Sequence, residues 1–248
     1  SGIFTVLSGI SMTGLGAGSV SWGDYNNDGY LDILSTGQMV GGTNVSKIYK
    51  NNGDNTFTDQ TAITIPGVAY GSSAWGDYNN DDLLDFVLTG YNQSLGAVSR
   101  IYKNNGNNTF TWQESISLTG VAYGAVAWAD YDNDGDIDLL LTGQNLNTGL
   151  ASKIYRNDGN NTFTEQTNIN LKPVYRSSAS FGDYNNDGLL DILLSGQVGI
   201  ESFAKNFTAI YKNNGDGTFS EQTEIDLIDL CLSSVAWGDF NNDDYLDI

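Results

Sequence analysis

The chain alternates short runs of apolar and β-branched residues with short clusters of Asn, Asp and Gly. In one representative stretch, the apolar runs occupy residues 70–77, 84–90, 99–103 and 109–112. Runs of this length, bounded by turn-forming residues, predict short antiparallel strands joined by hairpins. No stretch has apolar residues at helical spacing, so the pattern predicts an all-β protein.

The same stretch recurs along the chain at a nearly constant period. Its Asp-rich loop begins at Asp24, Asp77, Asp130, Asp183 and Asp239, at intervals of 53, 53, 53 and 56 residues. Four-stranded units repeated about every 50 residues are typical of β-propeller blades. We therefore predict that residues 1–248 form a single β-propeller array of five repeats, each a four-stranded antiparallel blade.

Both ends of the sequence fall inside a repeat. Residues 3–5 match the fourth strand of a blade, and the chain stops just after the last Asp-rich loop, so the last blade is expected to be incomplete. An unfilled blade leaves an exposed sheet edge. The five repeats are therefore expected to belong to a larger ring, with a self-closing five-bladed ring as the alternative.

Each Asp-rich loop has the ligand pattern of a calcium site. The loop carries oxygen-bearing side chains at positions 1, 3, 5 and 9, and position 7 offers a main-chain carbonyl. A hard divalent cation prefers such an all-oxygen shell, and calcium tolerates its irregular geometry better than magnesium does. In the first loop these residues are Asp24, Asn26, Asp28, Tyr30 and Asp32. Their equivalents are Asp77, Asn79, Asp81, Leu83 and Asp85; Asp130, Asp132, Asp134, Asp136 and Asp138; Asp183, Asn185, Asp187, Leu189 and Asp191; and Asp239, Asn241, Asp243, Tyr245 and Asp247.

Position 6 of the loop sets its bend. Gly29 occupies this position in the first loop and permits a positive φ. Asp82 and Asp244 replace the glycine in the second and fifth loops, where a left-handed backbone costs about 1 kcal/mol more. We expect these two loops to bind calcium more weakly, although the added carboxylate would offset part of the cost.

The composition fits metal binding and argues against several other functions. The formal net charge is −20, and 19 of the 30 acidic residues lie inside the five loops. Five bound Ca²⁺ ions would reduce the net charge to about −10. The ten Lys and Arg residues form no basic stripe for nucleic acid, and no apolar run approaches the roughly 18 residues of a membrane span. There is no histidine, and the single cysteine excludes an internal disulfide.

Tyr70-Gly71, the Asp-rich loops and Thr89-Gly90 together resemble the FG-GAP repeat, also described among the VCBS repeats, of integrin α-subunit heads and many bacterial surface proteins. The resemblance covers essentially the whole chain, with Tyr-Gly in place of Phe-Gly and Thr-Gly or Ser-Gly in place of Gly-Ala-Pro. It implies a β-propeller, most often seven-bladed, with calcium bound between strands 1 and 2 of a blade. It also implies adhesion or lectin-like binding rather than one enzyme activity, and it assigns the same side-chain ligands.

Most aromatic residues are predicted to pack rather than to bind. One position, two residues before each loop, is aromatic in every repeat and is expected to wedge between neighbouring blades. Its residues are Trp22, Trp75, Trp128, Phe181 and Trp237. Trp112 differs, because other repeats have Asp or Glu at its position, and we expect it to be exposed and able to stack on a sugar.

The topology of a blade separates two faces. The calcium loops and the 3–4 turns share one face, while the 2–3 and 4–1 connections share the other. The longest 2–3 connection, residues 197–208, carries Phe203 and Phe207. Because variable loops on a rigid scaffold commonly bind partners, we predict these phenylalanines and Trp112 as ligand-binding residues. The alternative is that the 2–3 connections vary only because their sequences are not constrained by the fold.

The favoured function is a secreted or cell-surface, non-enzymatic module that binds carbohydrate or an extracellular protein, with up to five structural Ca²⁺ ions. Neither nucleic acid nor membrane insertion is expected, and the sequence does not define an oligomeric state. One alternative is a polysaccharide-active glycosidase or lyase using paired carboxylates from Glu201, Glu224, Asp226 and Asp229. Another is a structural spacer in a large surface protein.

Overall fold

The computed structural model describes residues 10–200 and 204–248. Within these residues the chain forms sixteen β-strands in four antiparallel sheets, and each sheet contains four strands in chain order. This part of the chain has no helix of the length and apolarity that a membrane span needs. The first two sheets are β1 (Gly16–Gly23), β2 (Asp32–Gln38), β3 (Asn44–Asn51) and β4 (Phe57–Asp59), then β5 (Ser73–Gly76), β6 (Asp85–Asn92), β7 (Gly96–Asn104) and β8 (Phe110–Trp112). The other two are β9 (Val126–Ala129), β10 (Asp138–Asn145), β11 (Gly149–Asn157) and β12 (Phe163–Glu165), then β13 (Tyr175–Gly182), β14 (Asp191–Val198), β15 (Lys205–Asn213) and β16 (Phe219–Glu221).

The four-stranded unit predicted from the sequence is confirmed in each of the four sheets. Every Asp-rich loop of the first four repeats joins the first and second strands of its sheet. The 2–3 connections are shorter than expected, because the main-chain ladder continues into them. In the fourth sheet, for example, Gly196 pairs with Phe207 and Val198 pairs with Lys205.

The second strand of each sheet is buried on both faces, which explains its nearly continuous apolar sequence. Leu139 and Leu141 of β10 pack in a cluster shared with the second sheet. Leu140, which points to the opposite face, packs in a cluster shared with the fourth sheet. The core is therefore not one central mass but a series of apolar layers between neighbouring sheets.

The predicted aromatic wedge is confirmed for Trp75, Trp128, Phe181 and Trp237, whereas Trp22 is 56% exposed because no described sheet precedes its own. The indole Nε1–H of Trp75 donates to the Ser21 carbonyl of the preceding sheet at 3.3 Å. The same ring covers Gly23, where an added Cβ would lie 2.7 Å from Trp75 Cδ1. Trp128 and Trp237 repeat this arrangement on Gly76 and Gly182. The glycine allows the large ring to lie directly on the backbone of the next sheet.

The starts of the first strands approach a common axis. The N–H of Tyr70 donates to the Ala17 carbonyl at 2.6 Å, Tyr123 to Tyr70, Arg176 to Tyr123 at 2.5 Å, and Leu232 to Arg176 at 3.0 Å. These residues have φ between 50° and 56° and occupy one repeat position. Together with their neighbours they line a cavity of about 270 Å³. The sheets are thus arranged side by side around this axis, like propeller blades.

The fifth repeat forms no strand in its described part, contrary to the expectation of a fifth first strand. A single antiparallel bridge between Gly238 and Asp247 takes its place. A ladder requires several paired residues, and the sequence supplies only Ile248 beyond Asp247. Residues 3–5, expected to form a fourth strand, lie outside the described residues.

Candidate metal centres

The first aspartate of each loop fixes the turn. Asp24 Oδ1 accepts the N–H of Asp28 at 3.0 Å, and Asp24 Oδ2 accepts the N–H of Gly29 at 2.7 Å. Asp77, Asp130, Asp183 and Asp239 accept the equivalent two bonds at 2.8–3.1 Å. The fifth loop therefore has the same local conformation as the others, although no strands flank it.

The last aspartate of each of the first four loops is fully buried. Asp32, Asp85, Asp138 and Asp191 are each 0% exposed. Asp32 accepts N–H bonds from Tyr25 at 3.3 Å and Asn51 at 2.7 Å. Burial raises the pKa of Asp32 and Asp191 to about 6 and that of Asp85 and Asp138 to about 7, although main-chain N–H donors act in the opposite direction. A carboxylate buried in this way needs a cation or a proton to offset the cost of burying its charge.

The aspartate at loop position 5 is paired with a lysine from strand 3 in three sheets. Lys50, Lys103 and Lys212 each place Nζ 3.0 Å from Oδ2 of this residue, which is Asp28, Asp81 or Asp187 respectively. A hydrogen bond from Lys50 lowers the pKa of Asp28, and one from Lys212 lowers that of Asp187. The other oxygen of Asp28 accepts the N–H of Tyr30 at 3.1 Å, and position 7 is bound in this way in all five loops.

The third loop departs from this arrangement. Arg156 replaces the strand-3 lysine and pairs with Asp158 at 2.5 Å, so Asp134 has no such partner among the described residues. In the first loop, Asn26 Nδ2 donates to Asp32 Oδ2 at 2.9 Å, whereas the third loop has Asp132 at this position and no proton donor between the two carboxylates. Burial raises the pKa of Asp132, and the neighbouring carboxylates add to the effect.

The donor set of the third loop fits a calcium ion. One carboxylate oxygen from each of Asp130, Asp132 and Asp138 lies within 4.8 Å of the others. Oxygens bound to one calcium ion at 2.3–2.6 Å are separated by up to about 5 Å, so all three could contact a common ion. The ligand roles predicted for all five loops remain predictions.

The expectation that position 6 adopts a left-handed backbone is confirmed. Gly29 has φ 87°, and Asp82 and Asp244 have φ 65° and 68°. The aspartates at this position therefore adopt the conformation for which the cost was predicted. Their effect on calcium affinity remains a prediction.

Sequence reasoning missed position 4, which is asparagine in every loop. These asparagines also have positive φ, between 55° and 59°. Asn27 Nδ2 donates to the Asp82 carbonyl of the next loop at 2.9 Å, and Asn133 and Asn186 make the equivalent bonds to Gly188 and Asp244. An asparagine repeated without exception was the available signal, because this residue tolerates the left-handed region and also donates hydrogen bonds.

A second asparagine, at the end of strand 3, joins loops of two sheets. Asn104 is 1% exposed, and its Nδ2 donates to the carbonyls of Tyr25 at 2.8 Å and Leu84 at 3.1 Å. Asn157 and Asn213 repeat this bridge at the next two interfaces. The Asp-rich loops are thus linked to one another along a single face.

The predicted ligand-binding aromatics lie in other surroundings than expected. Phe207 belongs to β15 and packs against an apolar cluster between the third and fourth sheets, so it is not an exposed loop residue. Trp112 is half-buried under the Arg100 guanidinium, which lies 3.8 Å from the ring centroid. Phe203 lies outside the described residues, and no observation tests a binding role for any of the three.

The carboxylates proposed for an enzyme are not gathered into a buried site. Glu224, Asp226 and Asp229 are exposed, and Asp229 Oδ1 accepts the N–H of Thr208 at 2.9 Å. Glu201 lies outside the described residues. These positions neither favour nor test catalysis.

The fold and the loops together define the class of protein. It is an array of four-stranded antiparallel β-sheets, arranged like propeller blades, with an Asp-rich loop at the same end of each sheet. The FG-GAP-like repeat matches residues 24–88, 77–141, 143–194 and 201–248, so the chain belongs to the FG-GAP-like repeat family. A comparison with curated proteins gave no match.

Proposed function

We propose that this chain is a non-enzymatic, extracellular binding or adhesion module whose β-propeller scaffold is stabilised by calcium. One observation supports this proposal above the others. The loop end of the sheets repeats the same hydrogen-bonded frame five times, whereas the 2–3 connections at the opposite end differ in sequence from one repeat to the next, and that of the fourth repeat is also three residues longer than the others. A constant end serves the scaffold, and a variable end serves recognition.

Calcium has a structural role in this proposal. Each ion would join the first two strands of a sheet and neutralise the buried aspartate at loop position 9. Extracellular calcium at a concentration about ten times the dissociation constant would contribute roughly 1.4 kcal/mol per loop. Several such loops would together supply much of the stability of a domain of this size.

The closure of the sheets into a ring is the second part of the proposal. The convergence of all five repeats on one axial cavity supports a propeller. We propose that the repeats belong to a larger ring, typically seven-bladed, with a five-bladed ring as the alternative.

Calorimetry with and without a chelator tests the role of calcium. Excess chelator should lower the melting temperature of the whole array in one transition, and added calcium should restore it. A melting curve that does not respond to the chelator would show that calcium does not stabilise the fold.

A glycan array, probed with calcium-loaded and with chelated protein, tests recognition. Binding to a defined glycan that is lost on chelation supports a lectin-like module. A blank array shifts the proposal to a protein ligand, and release of reducing ends from a bound polysaccharide would establish an enzyme instead.

A further inference from the structure

A polar cavity of about 450 Å³ opens between the third and fourth sheets, at the face away from the Asp-rich loops. Its walls include Tyr123, Gln144, Tyr175, Arg176 and Gln197. The two glutamines lie at the ends of β10 and β14, and the Asp-rich loops lie at the starts of the same strands. This volume falls within the range of roughly 300–1,000 Å³ that is typical of small-ligand sites.

Arg176 gives this cavity a positive charge, at a position where the other repeats have an uncharged residue. The equivalent residues of the other repeats are Ala17, Tyr70, Tyr123 and Leu232, none of which is charged. The Arg176 backbone is held at φ 50° by its N–H bond to the Tyr123 carbonyl. The four equivalent residues have the same backbone conformation, so the repeat frame fixes where the Arg176 side chain begins, and only the side chain is specific to this position.

The guanidinium of Arg176 is available for a ligand. Six of the ten Lys and Arg residues pair with carboxylates, but Arg176 pairs with none among the described residues. One of its nitrogens, Nη1, donates to Gln197 Oε1 at 3.3 Å, which orients the planar group and leaves its other donors open. Arg100, Lys172 and Lys205 also have no carboxylate partner among the described residues, but Arg176 is the one of these four residues that lines this cavity. Its guanidinium lies 5.2 Å from the Tyr175 ring centroid and can pair with an anionic group.

The other walls supply the remaining contacts of a sugar. The Gln144 side-chain amide has no hydrogen-bond partner in the described part of the chain, and an amide can both donate to and accept from a hydroxyl. The ring of Tyr123 packs against Tyr70 with their centroids 4.7 Å apart, so its position is fixed. A fixed aromatic ring can carry the apolar face of a pyranose.

We propose that this cavity binds an acidic saccharide residue, with the carboxylate on Arg176 and the hydroxyls on Gln144 and Gln197. The inference rests on the proposed binding function of this face and names its ligand class. An acidic peptide would also satisfy Arg176; the aromatic face of Tyr123 beside the two amides favours a hydroxylated ring, and a peptide ligand is an outcome that the test distinguishes.

The test uses ligand-observed NMR titration of the full chain in saturating calcium, with sodium D-glucuronate and D-glucose as probes. Glucuronate should bind at least tenfold more tightly than glucose. Arg176→Gln should weaken glucuronate binding at least tenfold and leave glucose binding unchanged. Arg176→Lys should give an intermediate loss, because lysine keeps the positive charge but lacks the planar guanidinium that binds a carboxylate through two nitrogens. Gln144→Ala should weaken both probes.

Lys172→Gln is the matched control, because it removes one exposed positive charge four residues away from Arg176 and outside the cavity lining. It should leave both affinities unchanged, and equal melting temperatures would exclude misfolding of any variant. The proposal is overturned if glucuronate does not bind, if it binds no better than glucose, if Arg176→Gln has no effect, or if N-acetyl-aspartate amide binds more tightly. Glycan-array binding that persists in Arg176→Gln would refute this site while leaving the general binding function intact.

Discussion

The contact between a tryptophan and the glycine of the preceding sheet can be tested by adding one carbon atom. In Gly76→Ala the new Cβ would lie 2.8 Å from Trp128 Cδ1 and 2.7 Å from Ile137 Cδ1, well inside normal contact distance. Gly76 does not have a positive φ, so alanine itself fits the backbone. In the folded state the perturbation is therefore one of packing alone.

The expected magnitude combines two opposing effects. Overpacking a well-filled interface costs about 1–3 kcal/mol, while replacing glycine lowers the entropy of the unfolded chain and returns about 0.4–1 kcal/mol. We expect Gly76→Ala to reduce the free energy of unfolding by about 0.5–2 kcal/mol. Trp128→Phe alone should cost roughly 1–3 kcal/mol, because it loses ring contacts and the Nε1 bond to the Ala74 carbonyl.

At one interface of the chain, a larger residue at the glycine position is matched by a smaller aromatic ring. In the third repeat Ala129 occupies the glycine position, and in the fourth repeat Phe181 occupies the tryptophan position. The double variant Gly76→Ala with Trp128→Phe should therefore be more stable than the sum of the single effects predicts, by about 1 kcal/mol.

Urea unfolding at saturating calcium measures all four free energies. Gly238→Ala is the control, because an added Cβ at this equivalent glycine has no atom within 4 Å, and it should be neutral or slightly stabilising. Additive single effects, or a Gly76→Ala variant as stable as the parent, would refute the packing argument.

Three further predictions concern the loops and the strand phenylalanine. Because burial raises the pKa of Asp85 and Asp138 to about 7, against about 3.9 in the unfolded chain, the calcium-free folded state retains protons that the unfolded state has lost. Its free energy of unfolding should fall as the pH rises from about 5 to 8; Asp85→Asn should flatten that slope in urea titrations, and a rise would contradict the assignment. Asp132→Asn should lower calcium affinity in the third loop and Asn26→Asp should raise it in the first, both measured by calorimetric titration, and unchanged isotherms would argue against these residues as ligands. Phe207→Ala should lower the melting temperature without weakening ligand binding. A loss of binding at constant stability would instead indicate that Phe207 contacts the ligand.

The repeat itself made most of the fold predictable. Four strands per unit, the Asp-rich loop between the first two strands and the aromatic wedge all followed from residues that recur at a fixed interval. The place of the Asp-rich loop and its left-handed position 6 could be predicted because the hydrogen bonds within the loop are local, spanning two to seven residues of the chain.

Contacts between repeats were harder to predict. The bridges made by Asn104 and Asn157 span 79 residues, and no local pattern specifies such a partner. The environment of Phe207 was mistaken for the same reason, since strand pairing extends through main-chain groups and does not depend on the polar side chains of a connection. The cavity beside Arg176 depends on two sheets lying side by side, which the sequence of one repeat does not define.

The bridging asparagines have a consequence for the motions of the molecule. If the loop around Tyr25 opened alone, the side chain of Asn104, which belongs to the next sheet, would lose a buried acceptor at a cost of about 1–3 kcal/mol. The neighbouring loop would have to open with it, or water would have to enter the interface. Local opening should therefore occur in adjacent pairs, and amides on either side of one interface should exchange their hydrogens at matched rates.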